Sequence, residues 1–310
     1  MNDRRVSSGL RAWSGAADTL AMQALASRCW PGGLHPGGLG WSQATDQLAE
    51  KIVLVDGVDG ELLGWAGVTQ PGSLALQVAA GRSDVRSDLI EWLIGTADGP
   101  ELTVDAFDQD TVDDLKAVGL EPVSPPFGYY RMGQPGLHAR ADQLMAESPG
   151  GFTIRHMRPD EEDDRVAVHR SAWRPADLPF HPDHRPDMDE SWTSSFTVET
   201  YRRVRSMGLY DSSLDLVAVA PDGSLAGCCI GWLDPATGWA EIEPLGVVPA
   251  YRRRGLSLAL CAEVARRVSR LGGHDVFINT GPSETYPAPY RAYRRAGFAP
   301  FTRSTTLHRR

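Results

Sequence analysis

Arg252, Arg253 and Arg254 stand together and are followed by Gly255, Leu256 and Ser257. Three guanidinium groups suit an anion, and their setting narrows it to phosphate. Ahead of them, Ile242, Leu245, Val247 and Val248 lead to Pro249, the pattern of a strand closed by a proline. After them, Leu256, Leu260, Val264, Val268 and Leu271 recur at spacings of four, four, four and three, and Gly272-Gly273 follows. That is one apolar stripe at helical period with a stop signal. A turn that opens a helix presents free backbone N–H groups and the positive end of the helix dipole. Gly255 lets the backbone come close to a ligand. An arginine triplet alone is more often a solvated turn; strand, basic turn and amphipathic helix together specify a site for a phosphate-bearing ligand.

Other reactive side chains are weighed the same way. Glu241 and Glu243 stand two apart, so on a regular strand they share one face. His181, Asp183 and His184, with His156 and His169 upstream, are of metal-ligating types. Their spacing is loose and no fourth ligand is specified, so we expect no metal there, and a loop that touches substrate or solvent. Trp173 and Trp192 on the flanking segments make this region a candidate acceptor wall. Cys29, Cys228, Cys229 and Cys261 show no C-x-x-C spacing and read as buried apolar fillers.

The elements that must position these residues fall into two similar halves. The 310 residues suggest two domains. In the first half we expect a helix over 14–30, a loop over 31–40 and a short helix over 41–50. A hairpin turning at Val58-Asp59-Gly60 follows, then a strand from Ser73 and a helix from Ser83 to Gly95. The segment ending Phe127-Gly128-Tyr129-Tyr130-Arg131-Met132 closes this half. Residues 133–151 read as a linker, giving domains 1–135 and 150–310. In the second half we expect a strand at Phe152, a helix over 159–173, a helix over 188–207 in one or two pieces, a hairpin at Pro221-Asp222-Gly223, the strand, turn and helix above, a strand at 274–280, a helix near Tyr293 and a last strand to Leu307. Asp59–Gly64 matches Asp222–Gly227, and Ala117–Pro122 matches Arg295–Pro300, so the halves read as copies of one α+β unit. Arg82 stands alone in the first copy's turn, with Asp84 and Asp88 beside it, so we expect no productive phosphate site there. A net charge of −9 argues against nucleic acid as a general partner. No apolar run reaches the length of a membrane span and the N-terminus lacks the apolar segment of a signal peptide, so the expectation is a cytoplasmic protein with no membrane partner.

The organising stretch resembles the signature of the GNAT acyltransferase superfamily, a Gln/Arg-x-x-Gly-x-Gly/Ala turn that grips the pyrophosphate of acetyl-CoA. Arg252, Gly255 and Ser257 stand at its three positions, with Ser257 replacing the usual Gly or Ala. Tyr293 to Phe298 fits the family's Tyr-x-x-x-Gly-Phe pattern. The two-copy arrangement with a degenerate first copy is similar to that of tandem, mycothiol-synthase-like acetyltransferases. The resemblance implies an α+β fold of two tandem GNAT-like domains, each a mixed, largely antiparallel sheet flanked by helices. It implies acetyl-CoA as co-substrate, held by Leu245, Gly246, Val247, Arg252, Arg253, Arg254, Gly255, Leu256, Ser257 and Asn279. Gly246 would mark a bulge or close backbone approach on the strand that lines the pantetheine. Either Glu241 or Glu243 would be the base and Tyr293 the acid in direct acetyl transfer to the amine of a small molecule. The rivals are a non-catalytic acyl-CoA sensor or scaffold, which needs neither Tyr293 nor the glutamates, and a transferase of a longer acyl group. Monomer and homodimer are both compatible with the sequence.

Overall fold

The computed structural model describes residues 9–69, 72–97, 99, 101–124, 128–135, 150–174, 177–181, 183, 189, 191, 193–281 and 286–309. The chain divides into two compact units. One is Met1–Gly128 with Ser304–Arg310; the other is Tyr129–Arg303.

The first unit runs β1 (Arg11–Ala12), α1 (Ala16–Cys29), α2 (Pro36–Ala44), β2 (Lys51–Asp56), β3 (Leu62–Thr69), β4 (Ser73–Val78), α3 (Ser83–Thr96), β5 (Leu102–Ala106), α4 (Gln109–Ala117) and β6 (Glu121–Pro122). Two expectations need correction here. The expected loop at 31–40 contains the start of α2, because Pro36 stands at the first helical position, where a missing N–H costs nothing, and the His35 ring accepts from Gly37 N–H. Helix α3 runs through Gly95 to Thr96.

The second unit runs β7 (Tyr130–Pro135), β8 (Thr153–His156), α5 (Glu162–Ala172), α6 (Val198–Arg205), β9 (Asp215–Val219), β10 (Leu225–Leu233), β11 (Trp239–Val247), α7 (Leu256–Arg270), β12 (Asp275–Thr280), α8 (Pro287–Arg295) and β13 (Ala299–Arg303). The expected last strand is two strands, and the second, β14 (Thr305–Arg309), belongs to the first unit. The expected helix over 188–207 is, among the described residues, only α6, which starts where Thr197 caps Thr200 N–H.

The first unit's sheet has the order β1-β2-β3-β4-β5-β14-β6, and the second unit's has β13-β7-β12-β11-β10-β9-β8. All pairs are antiparallel except β4–β5 and β11–β12. The architecture is therefore α+β, with two mixed, largely antiparallel sheets flanked by helices. The boundaries read from composition put Tyr130–Pro135 with the first half and Thr305–Arg309 with the second. Each strand pairs in the opposite sheet: β7 inserts between β12 and β13, and β14 between β5 and β6. Linker composition carries no information on which sheet accepts a neighbouring strand.

The repeat is visible in backbone detail. Gly60 and Gly223 adopt φ of +82° and +87°, with Asp59 and Asp222 carboxylates accepting from the N–H two residues on. Gly119 and Gly297 close α4 and α8 with φ of +88° and +93°. Leu256, Leu260, Val264 and Val268 of α7 are buried against β9, β10, β11 and β12, as their spacing requires. Leu271 is the exception: it is the C-cap and is 48% exposed.

Candidate functional site

Strand β11 carries the site because it leaves one neighbour and is bent against the other. Its parallel pairing with β12 covers only Trp239, Ala240 and Glu241. Beyond that point, among the described residues, it pairs with β10 alone, where the register slips: Gly231 faces Ile242 but Cys229 faces Leu245. The extra residue lies at Glu243-Pro244, a β-bulge. The peptide between these two is cis. The Trp232 indole N–H donates to the Glu243 carbonyl at 2.6 Å and holds the bulge. The bulge expected at Gly246 is therefore two residues earlier. Gly246 marks a close approach of another kind: a Cβ there would lie 2.2 Å from Trp173 and 2.8 Å from the Ala172 Cβ. Trp173, at the end of α5, stacks on His169 at 4.4 Å, and His169 packs on Phe196 at 4.1 Å. Burial, with Arg165 and Arg170 nearby, pulls the His169 imidazole down to about 3, so the ring is neutral.

Alternation on β11 sends Ala240 and Ile242 into the core under α7 and leaves Glu241 on the other side. Glu241 is 3% exposed and accepts from the Asn279 amide at 2.6 Å. Asn279 thus reaches the candidate base, a contact that the resemblance did not imply for it. Glu243 is half-buried, and burial first, with Glu241's charge second, pushes its carboxyl up to about 8. Tyr293, on α8, is 8% exposed and packs 6.2 Å from the Phe298 ring. Its phenol is raised by burial, with Cys261 and Glu243 adding to the shift. Leu245 and Val247 lie along the free side of β11, packed against the core.

The basic turn follows. Residues Pro249–Tyr251 form a short 3₁₀ turn, Arg253 has φ of +63° and Gly255 of +82°, and α7 begins at Leu256 without a side-chain cap. Ala259 N–H to the Gly255 carbonyl opens the helix ladder, so the donors of Leu256, Ser257 and Leu258 have no carbonyl within it. Arg253 and Arg254 are exposed. Arg252 behaves differently: its guanidinium donates to the carbonyls of Val247 (3.2 Å), Ala172 (3.1 Å) and Asp177. It ties β11, α5 and the following loop together, and that is a fastening role where direct phosphate contact was expected.

The first unit offers a control. The repeat aligns Gly64 with Gly227, and pairing then places Ser73, Gln77 and Val78 at the positions of Glu241, Gly246 and Val247. Leu115, four residues before Gly119, stands where Tyr293 does. Strand β4 also leaves its parallel partner, after Leu74, but its pairing with β3 is unbroken. Its turn to α3 is only Ala79–Arg82, and Arg82 is bound by both oxygens of Asp84 at 2.9 and 2.6 Å. A Cβ on Gly33 would lie 2.1 Å from Gln77 Nε2, so the glutamine side chain packs closely on Gly33.

The histidine loop contributes His181 and Asp183, which approach at 3.7 Å; His184 and Trp192 lie outside the described residues. No group of three or more His, Cys, Asp or Glu that could hold a metal occurs among the described residues. Cys228, Cys229 and Cys261 are free and buried, and Cys29 is half-buried. No helix among the described residues is long and apolar enough to cross a membrane. Sequence reasoning missed Arg131, which is 2% exposed and lies in the field of Glu241. The alternation Tyr130-Arg131-Met132 was the available signal for a strand with one buried polar residue.

Residues 179–298 match the family model described as Acetyltransferase (GNAT) family. The chain is similar to a mycothiol acetyltransferase from Clavibacter michiganensis subsp. michiganensis (strain NCPPB 382), 31% identical over 155 residues that cover 48% of this chain and 43% of that protein. A mycothiol acetyltransferase from Clavibacter sepedonicus is 30% identical over 156 residues, covering 49% and 44%. The matched stretch thus spans less than half the length of these curated relatives. Among solved structures, a tandem GNAT protein from the clavulanic acid biosynthesis pathway has a TM-score of 0.58 at 14% identity, over 96% of this chain and 98% of that one. A GCN5-related N-acetyltransferase from Sphaerobacter thermophilus has a TM-score of 0.57 at 24% identity, over 97% and 94%. Residues 179–298 are thus similar to the acetyltransferase (GNAT) family, and the chain carries the fold of the tandem GNAT protein.

Proposed function

We propose that the second unit is an acetyl-CoA-dependent N-acetyltransferase that acetylates the amine of a small molecule by direct attack. The observation that carries this is the course of β11: unpaired from β12 after Glu241, bulged at Glu243-Pro244, and running into a basic turn and an uncapped helix. These residues fit a diphosphate-bearing coenzyme. The N–H groups at the start of α7, with Arg253 and Arg254, would hold its phosphates, and the free side of Leu245, Gly246 and Val247 would take its amide-bearing arm. Acetyl-CoA, when bound, supplies the acetyl thioester.

The chain's own groups then divide the proton traffic. Glu243, with its carboxyl raised toward neutral pH, accepts the amine proton. The Tyr293 hydroxyl is the donor for the departing thiolate. Trp173 over Gly246 forms one wall beside the transfer point. In the first unit, Leu115 and the Arg82–Asp84 pair remove the acid and the anion grip, so we propose that it binds no CoA productively.

The test is release of free CoA thiol by the purified chain with acetyl-CoA and a library of small amines. Turnover that depends on one amine class is expected. Coenzyme binding without turnover on any amine would point to the sensor reading, and turnover only with succinyl- or malonyl-CoA to a longer acyl group.

A further inference from the structure

Strand β7 begins ahead of the stretch expected as a linker and is built into the second unit's sheet. Its register sets Tyr130 opposite Thr280, Arg131 opposite Asn279 and Met132 opposite Ile278. Met132 and Ile278 enter the core under α7. Arg131 and Asn279 therefore share the opposite face, the face on which Glu241 is held by the Asn279 amide at 2.6 Å. Arg131 is 2% exposed. A guanidinium cannot lose its charge in a protein, so burying one demands an anion close by. Burial draws Arg131 down to about 10, and Glu241 is the charge that works against that shift.

We propose that Arg131 is a positioning residue of the transfer site: with Asn279 it fixes the Glu241 carboxylate and supplies its counter-charge, which leaves Glu243 to take the amine proton. The inference rests on the reading of the second unit as an N-acetyltransferase. It means that the site on β11 is completed from ahead of the linker, by a strand that a boundary at residue 150 would cut away. In the proton step, the amine N–H bond breaks and an O–H bond forms on Glu243, while Glu241 and Arg131 exchange no proton.

The test uses the full chain and the variants Arg131→Met, Arg131→Lys, Glu241→Gln and the Arg131→Met/Glu241→Gln double. Unfolding midpoints are measured without ligand. Each of Arg131→Met and Glu241→Gln is expected to lower the midpoint by about 4 °C or more, and the double variant to lie no lower than the worse single one, because neither charge is then left alone. With amine and acetyl-CoA, Arg131→Met is expected to lower kcat by about tenfold or more with the KM for acetyl-CoA unchanged. Adding Glu241→Gln should cause no further loss. Arg131→Lys, which keeps the charge, should fold and recover part of both quantities. Additive losses, a wild-type kcat in Arg131→Met, or an effect on KM alone would overturn the proposal. If the wild-type chain turns over no amine, the functional reading fails by itself. The unfolding cycle then still decides the Arg131–Glu241 pair: additive midpoints overturn it.

Discussion

Glu241 and Glu243 sit two residues apart and meet different surroundings. Glu241 is gripped by the Asn279 amide, whereas Glu243 is lifted out of the ladder by the bulge and raised to about 8 by burial and by its neighbour's charge. The base must be ionised to act, so kcat/KM should rise with pH through about 8 and level off above it. Glu243→Gln should remove that limb and cost about 100-fold or more in kcat/KM. Glu241→Gln should move the limb to lower pH, since one of the two causes of the raised value is gone. A limb that persists unchanged in Glu243→Gln would contradict the assignment. From sequence, the two carboxylates were equivalent, because their spacing alone puts them on one face. The Glu243-Pro244 bulge, which a regular-strand reading does not foresee, and the Asn279 contact tell them apart.

At the scale of elements, the turn between β11 and α7 is held by Arg252, while the first N–H groups of α7 have no side-chain cap. Two kinds of arginine therefore occupy one triplet. Arg252→Met should destabilise the second unit by about 2–4 kcal/mol, the loss of several charge-assisted bonds to carbonyls, seen as a lower unfolding midpoint even without coenzyme. Arg253→Ala with Arg254→Ala should leave the midpoint near wild type and weaken CoA binding in a salt-dependent way; calorimetry and thermal unfolding together separate the two effects. Strand, turn and helix were legible because apolar spacing and Pro249 and Gly255 fix them locally. The direction of the Arg252 side chain was not, because its acceptors at Ala172 and Asp177 lie some 75 to 80 residues away.

For the whole molecule, the feature that local pattern could not reveal is the exchange of β7 and β14 between the sheets. Repeated turns at Asp59-Gly60 and Asp222-Gly223 exposed the two copies, but strand pairing is set by contacts far along the chain, and Leu307 is fully buried in a sheet whose other strands end at residue 122. Deleting Ser304–Arg310 should leave β5 and β6 without their shared partner and make the first unit, Arg11 to Pro122, the preferred site of limited proteolysis, while Tyr129–Arg303 stays resistant. Equal resistance in both units would show that β14 is dispensable. The central claim is that one of the two copies, the second, grips the coenzyme at the start of α7. Amide hydrogen exchange with and without acetyl-CoA reads it directly: we expect slowed exchange from Arg253 to Leu258 and no change from Ala79 to Asp84, and unchanged exchange at the first stretch, or protection at the second, would contradict it.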